Sequence, residues 1–134
     1  MDPIKENRIE TLTQAFTRMP KTLNKKTEST EHVLEVRRAG FSEIRIFSAL
    51  YTKRADEDTW VTKSQRETKT RLRYSTDGDE EFYHDVLNRI HTALTRMKLD
   101  TSHNALCHTF MSGFTKQLNQ LTGLNLIKPT GVIL

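Results

Sequence analysis

Apolar residues near the end of the chain recur every three or four positions, the spacing of one helix face. Phe82, Val86, Ile90, Leu94 and Met97 form the strongest such stripe, preceded by the acids of "STDGDEE", which suit a helix N-terminus. Leu106, Phe110, Phe114, Leu118 and Leu121 form a second stripe, predicting a helix from about Ser102 to Thr122 with Gly123 as its C-terminal cap. At the other end, "DPIKENRIETLTQAFTRMP" predicts a helix capped by Asp2, carrying Ile9, Leu12, Phe16 and Met19 on one side and ending at Pro20.

Between these helices the pattern changes. "KTLNKKTEST" is polar and basic, and residues 20–29 are expected as a surface connection. "TEHVLEVRRAG" suits either a strand or a helix. Ser29 or Thr30 as a cap, with Arg37, Arg38 and Gly40 at the end, favours a short helix. From Phe41 to Lys53 the β-formers Ile44, Ile46, Phe47, Leu50 and Tyr51 predict a strand, and "RADED" a turn. The run "TWVTKSQRETKTRLRYST", Thr59 to Thr76, follows with neither Gly nor Pro. As one strand it would extend roughly 60 Å, so it must break, bend or protrude. "SQRE" is the expected break; a long two-stranded arm is the alternative.

These elements predict an α+β fold: an N-terminal helix, a small antiparallel sheet over about 41–76, and two C-terminal helices packed on one side of it. At 134 residues the whole chain, 1–134, is expected to be a single domain. Its hydrophobic content of 35% is low and its charged content of 28% high, so the core is expected to be thin or completed by a partner, as in a homodimer. A lone cysteine, Cys107, excludes an intramolecular disulfide and a multi-cysteine zinc site. That cysteine usage fits a reducing compartment, and no apolar run is long enough for a signal peptide core or a membrane span, so an intracellular, cytoplasmic location is expected, with no membrane partner.

The formal net charge of +4 is mild, but charge is segregated along the chain. Residues 41–76 hold eight basic and five acidic residues, and residues 77–100 three basic and six acidic. On an unbroken strand, Val61, Lys63, Gln65, Glu67, Lys69, Arg71 and Arg73 share one face, while Trp60, Arg66 and Tyr74 fall on the other. Lys63, Lys69, Arg71 and Arg73, with Arg45 and Lys53 from the preceding strand, form a face suited to backbone phosphates, and nearby Trp60 or Tyr74 to stacking a base. The expected function is therefore non-enzymatic nucleic-acid binding through this face, by a homo-oligomer. The alternative is a protein-interaction or assembly component, adaptor, structural or inhibitory, using the exposed sheet and the apolar tail 124–134, whose Val132, Ile133 and Leu134 would meet a partner. Arg66, on the face to be buried, is the one residue this strand does not accommodate.

Catalytic signatures are absent from the sequence, so no enzyme, metal or cofactor is expected. There is no glycine-rich phosphate loop and no "GxSxG". His84, His91, His103 and His108 lack the three- or four-residue spacing that places two ligands on adjacent helical turns. "NALCHTF" resembles the "HxLRHTF" box of tyrosine recombinases, but Asn104 and Cys107 replace the His and Arg its chemistry requires, and no tyrosine follows.

Overall fold

In the computed structural model the described residues are 2–75, 78–97 and 101–130. Helix α1, Pro3–Ala15, starts where expected: Asp2 Oδ1 accepts from the Ile4 N–H at 3.0 Å and Pro3 occupies the first turn. It ends a full turn earlier than Pro20, because Phe16 turns extended and its N–H closes the helix onto the Leu12 carbonyl.

Four strands follow: β1, Arg18–Lys25; β2, Glu28–Gly40; β3, Glu43–Arg54; and β4, Val61–Arg71. They pair antiparallel in the order β1-β2-β3-β4, an up-and-down meander. The sheet thus begins at Arg18 rather than near residue 41, and two expectations are corrected. Most of the supposed surface connection 20–29 is strand. Its polar composition is that of a sheet edge, and Pro20, opposite Val33, is tolerated there because an edge strand has one side free of ladder bonds. The supposed short helix is β2. Its continuous apolar look has a simple source: Leu34 and Val36 face the helices, while Val33 just before them is buried against Ala49 on the opposite face.

Helices α2, Asp79–Arg96, and α3, Thr101–Thr122, pack with α1 over one face of the sheet, as the α+β reading expects. Leu34, Val36, Ile44 and Ile46 of the sheet meet Phe82, Val86, Ile90 and Leu94 of α2 and Phe110, Phe114 and Leu118 of α3. Phe16 stacks on Phe114 at 5.8 Å, and Phe114 on Phe110 at 5.6 Å. Gly123, at φ 73°, ends α3 in the left-handed conformation that costs glycine little. Beyond it, Asn119 bonds both backbone groups of Leu126 and so holds that buried residue against α3. Val132, Ile133 and Leu134, the expected partner-binding tail, lie outside the described residues. Among the described residues no helix is long and apolar enough to cross a membrane.

Burial pushes the Cys107 thiol up to about 12, and also raises Tyr74 and Tyr83 above their ordinary values. In each case the fold holds the proton more tightly than the unfolded chain does. That stability is complete below the unfolded cysteine value of about 8.5 and fades as pH climbs toward the folded one. The melting temperature is expected to fall between pH 8 and 11, with Cys107 labelled by a thiol reagent only on unfolding. A thiol that reacts at once in folded protein at pH 8 would contradict this assignment.

Candidate nucleic-acid interface on the open sheet face

With all three helices on one side, the other side of the sheet is open, and strand register decides which residues stand on it. Arg37 of β2, Arg45 of β3 and Lys69 of β4 form one row across three strands. Glu43 and Arg71 form the next. On the other side of that row, Glu35, Phe47 and Glu67 stand abreast. The intervening carboxylates matter, because Arg45 bonds Glu35 at 3.3 Å and Glu67 at 3.1 Å, and its guanidinium lies 4.9 Å from the Phe47 ring centroid. Arg37 also reaches Glu35, at 3.2 Å. Arg45 is therefore the hub of an ion-pair cluster that stiffens the face, whereas among the described residues Lys69 and Arg71 form no ion pair.

The long run from Thr59 resolves in a way its composition does not show. No turn forms at "SQRE". Instead, Leu50 pairs with Ser64 and Tyr51 with Thr62, so Lys63 is an extra residue in β4, a β-bulge. The bulge reverses facing for everything before it. Thr62 joins Tyr51 on the open face, and Trp60, two residues earlier, lies there too, with the Lys53 ammonium 5.6 Å from its ring centroid. Trp60 therefore shares the face of Lys69 and Arg71 rather than opposing it. Val61 turns the other way.

Arg66 is accounted for as well. It projects toward the helices, where its Nη1 donates to the Met97 carbonyl at 2.7 Å and closes the C-terminus of α2. Tyr74 leaves the interface. It lies past the end of β4 with its ring stacked on Phe82 at 5.2 Å and its hydroxyl buried, so it supports the core and cannot stack a base on the open face. Arg73 is exposed, also beyond the strand, and has an interaction of its own. The eight sequence-predicted residues thus divide: Lys53, Trp60, Lys69 and Arg71 stand on the open face, Lys63 is at its bulge, Arg45 is its internal tie, and Arg73 and Tyr74 lie off it.

A second polar arrangement is invisible in the sequence. Ser48 Oγ is 2.6 Å from His103 Nε2, and His103 Nδ1 is 3.2 Å from His32 Nδ1. This is the order of nucleophile, base and orienting group used in covalent catalysis. All three residues are at most 4% exposed and sit beneath the helical layer, where the network joins β2, β3 and α3. Since His32 and His103 are 71 residues apart, no local spacing announces the pair. His84 lies elsewhere and accepts a bond from the Ile127 N–H at 3.2 Å. No group of three or more His, Cys, Asp or Glu side chains able to hold a metal forms among the described residues.

No protein-family model, no curated protein and no solved structure matches the chain.

Proposed function

We propose that the open sheet face binds single-stranded nucleic acid. The observation that carries the reading is the bulge at Lys63, since it brings an exposed indole onto the same surface as Lys69 and Arg71 of β4. A flat aromatic ring stacks any base, and Lys or Arg at intervals along a strand follow the phosphates, a combination that binds single strands with little regard to sequence. From Trp60 to Lys69 the bulged strand covers roughly 26 Å, at about 3.3 Å per residue. Lys53 sits beside the indole, and Lys69 and Arg71 form the far end. Because Arg45 is saturated by two carboxylates, its role is to hold Phe47 and the flanking strands rather than phosphate. As a grip this is modest, and binding is expected to be strongly salt-sensitive.

Trp60 is the single tryptophan, so its fluorescence reports on this surface alone. Titration with mixed-sequence single-stranded DNA or RNA at low salt should quench and shift the emission, and raising the salt should reverse it. An emission unchanged by either oligonucleotide at low salt would end the proposal.

One observation favours a second reading, a protein-assembly surface. Among the described residues nothing pairs with the outer edge of β4, eleven residues long, and Val61 beside it is 56% exposed. Such an edge can accept another strand, from a second copy or a partner. That reading expects a complex that persists at high salt in light scattering, where the nucleic-acid complex dissociates.

A further inference from the structure

The free edge of β4 has a definite phase. The Leu72 N–H donates to the Ser42 carbonyl at 2.8 Å, and Ser42 and Leu72 continue the register that sets Glu43 opposite Arg71. Backbone groups in an antiparallel ladder alternate sides, so Thr70, Thr68, Arg66 and Ser64 also turn theirs toward β3. Gln65, Glu67, Lys69 and Arg71 therefore aim their N–H and C=O groups outward, and the same four carry their side chains on the open face. On the helical side a cleft of about 270 Å³ lies between Thr68 and Thr70 of β4 and Asn88, Thr92 and Ala93 of α2, which leaves room along the edge.

A second copy of this strand, running antiparallel about a dyad normal to the sheet, bonds to that edge only where outward groups meet outward groups. Register then decides which charges face each other. Setting Thr68 opposite Thr68 of the second copy brings Glu67 opposite its Lys69 and Lys69 opposite its Glu67, with Gln65 opposite Arg71 at either end. Moving the dyad by one residue instead sets Lys69 against Lys69 or Glu67 against Glu67, like charges that destabilise a cross-strand pair. An edge lysine ordinarily discourages pairing with a stray strand. Here the carboxylate two positions earlier makes the edge complementary to itself when reversed. Arg45 already holds Glu67 at 3.1 Å, so ordering that carboxylate against a second cation costs little further entropy.

We propose that two copies of this chain join edge to edge through β4 in the register centred on Thr68, merging two four-stranded sheets into one. The inference rests on the protein-assembly reading above and commits it to a second copy rather than a foreign strand. Gln65, Glu67, Lys69 and Arg71 each exchange two backbone bonds with the opposite strand, roughly eight in all. On the helical side Thr68 meets its own counterpart at the dyad, a small pair that the neighbouring cleft accommodates. Because the dyad is normal to the sheet, both open faces lie on the same side, and the two Trp60 rings belong to one surface.

Thr68→Cys tests the register. A non-hydrogen-bonded pair at the dyad has its Cα atoms about 4.5 Å apart, within disulfide reach, so mild oxidation is expected to give a covalent dimer on a non-reducing gel. In Thr70→Cys the two thiols are displaced by four residues, about 13 Å along the strand, and the same oxidant should leave a monomer band. The native Cys107 is buried, so oxidised wild type serves as the control. Gln65→Glu adds an ion pair with Arg71 of the other copy at each end of the interface. It should tighten the dimer about fivefold in analytical ultracentrifugation, and Gln65→Lys should loosen it by a similar factor. Light scattering of the wild type separates the ways of failing. A protein still monomeric at about 1 mM overturns the proposal and leaves the assembly reading only a foreign partner. A dimer that Thr68→Cys does not trap, or that Thr70→Cys traps equally, overturns the register and keeps the assembly reading. Trp60 quenching by oligonucleotide depends on neither result.

Discussion

Asp79→Ala is expected to destabilise the protein by about 3 kcal/mol in urea unfolding, while Arg8→Met stays within about 1 kcal/mol of wild type. The asymmetry runs against exposure. Asp79 is half in water, with 51% of its side chain accessible, and Arg8 is almost sealed at 4%. Removing Asp79 takes a carboxylate from 2.8 Å away from a guanidinium that has already lost its hydration, and that guanidinium then relies on its remaining interactions, the Tyr74 carbonyl and the Phe82 ring among them. The cost belongs at the low end of the 3–5 kcal/mol for breaking a buried pair, since solvent screens the carboxylate side. Replacing Arg8 by Met instead removes the buried charge, keeps most of the volume against Phe82, and returns Asp79 to water at the first turn of α2, where an acid is favourable. The double variant should recover most of the Asp79→Ala loss. If Arg8→Met proves as costly as Asp79→Ala, the ion pair stabilises in its own right and the predicted asymmetry is wrong.

The second large effect concerns the interface. Lys69→Glu combined with Arg71→Glu should weaken oligonucleotide binding by about two orders of magnitude or more, the sum of two charged contacts at about 1.5–3 kcal/mol each. The slope of log K against log salt should shrink by about 1.4 for a single strand, reflecting two lost phosphate contacts. A matched control, Lys25→Glu with Lys26→Glu, changes net charge equally from +4 to 0 but lies at the β1–β2 turn, at the opposite edge of the sheet. If the control weakens binding as much, attraction is a matter of total charge and no face is specified. Circular dichroism should be unchanged for both, since all four residues are exposed.

Elements were legible in the sequence where their signal was local. The helices α2 and α3 were, because a long apolar stripe at helical spacing buries one side of a helix and would scatter over both faces of a strand. The strands β1 and β2 were not: an edge strand reads as a loop when its side chains are Lys, Thr and Asn, and a strand with apolar residues on both faces loses its alternation. Parity placed Lys69 and Arg71 together, since nothing interrupts β4 between them. It misplaced Trp60, because the facing of a residue beyond a bulge is settled by the partner strand. Arg66 stood out as a misfit on the buried side, and its reason was out of local reach, since the Met97 carbonyl it closes is 31 residues away. The Ser48–His103–His32 network depends entirely on distant segments meeting.

The bulge also separates two properties that usually travel together in a strand. In β4 the residues after Lys63 are oriented by the continuous ladder with β3, but those before it are oriented by a head count. Delete Lys63 and Thr62 still meets Tyr51, so Trp60 keeps its face; keep every residue but let Lys63 pair with Tyr51 in perfect step, and Trp60 and Thr62 would turn beneath the sheet and Val61 above it. Whether the indole meets solvent on the cationic side is thus decided by one residue's failure to pair, and a ladder slipped by a single step would invert the surface with no change of sequence at all.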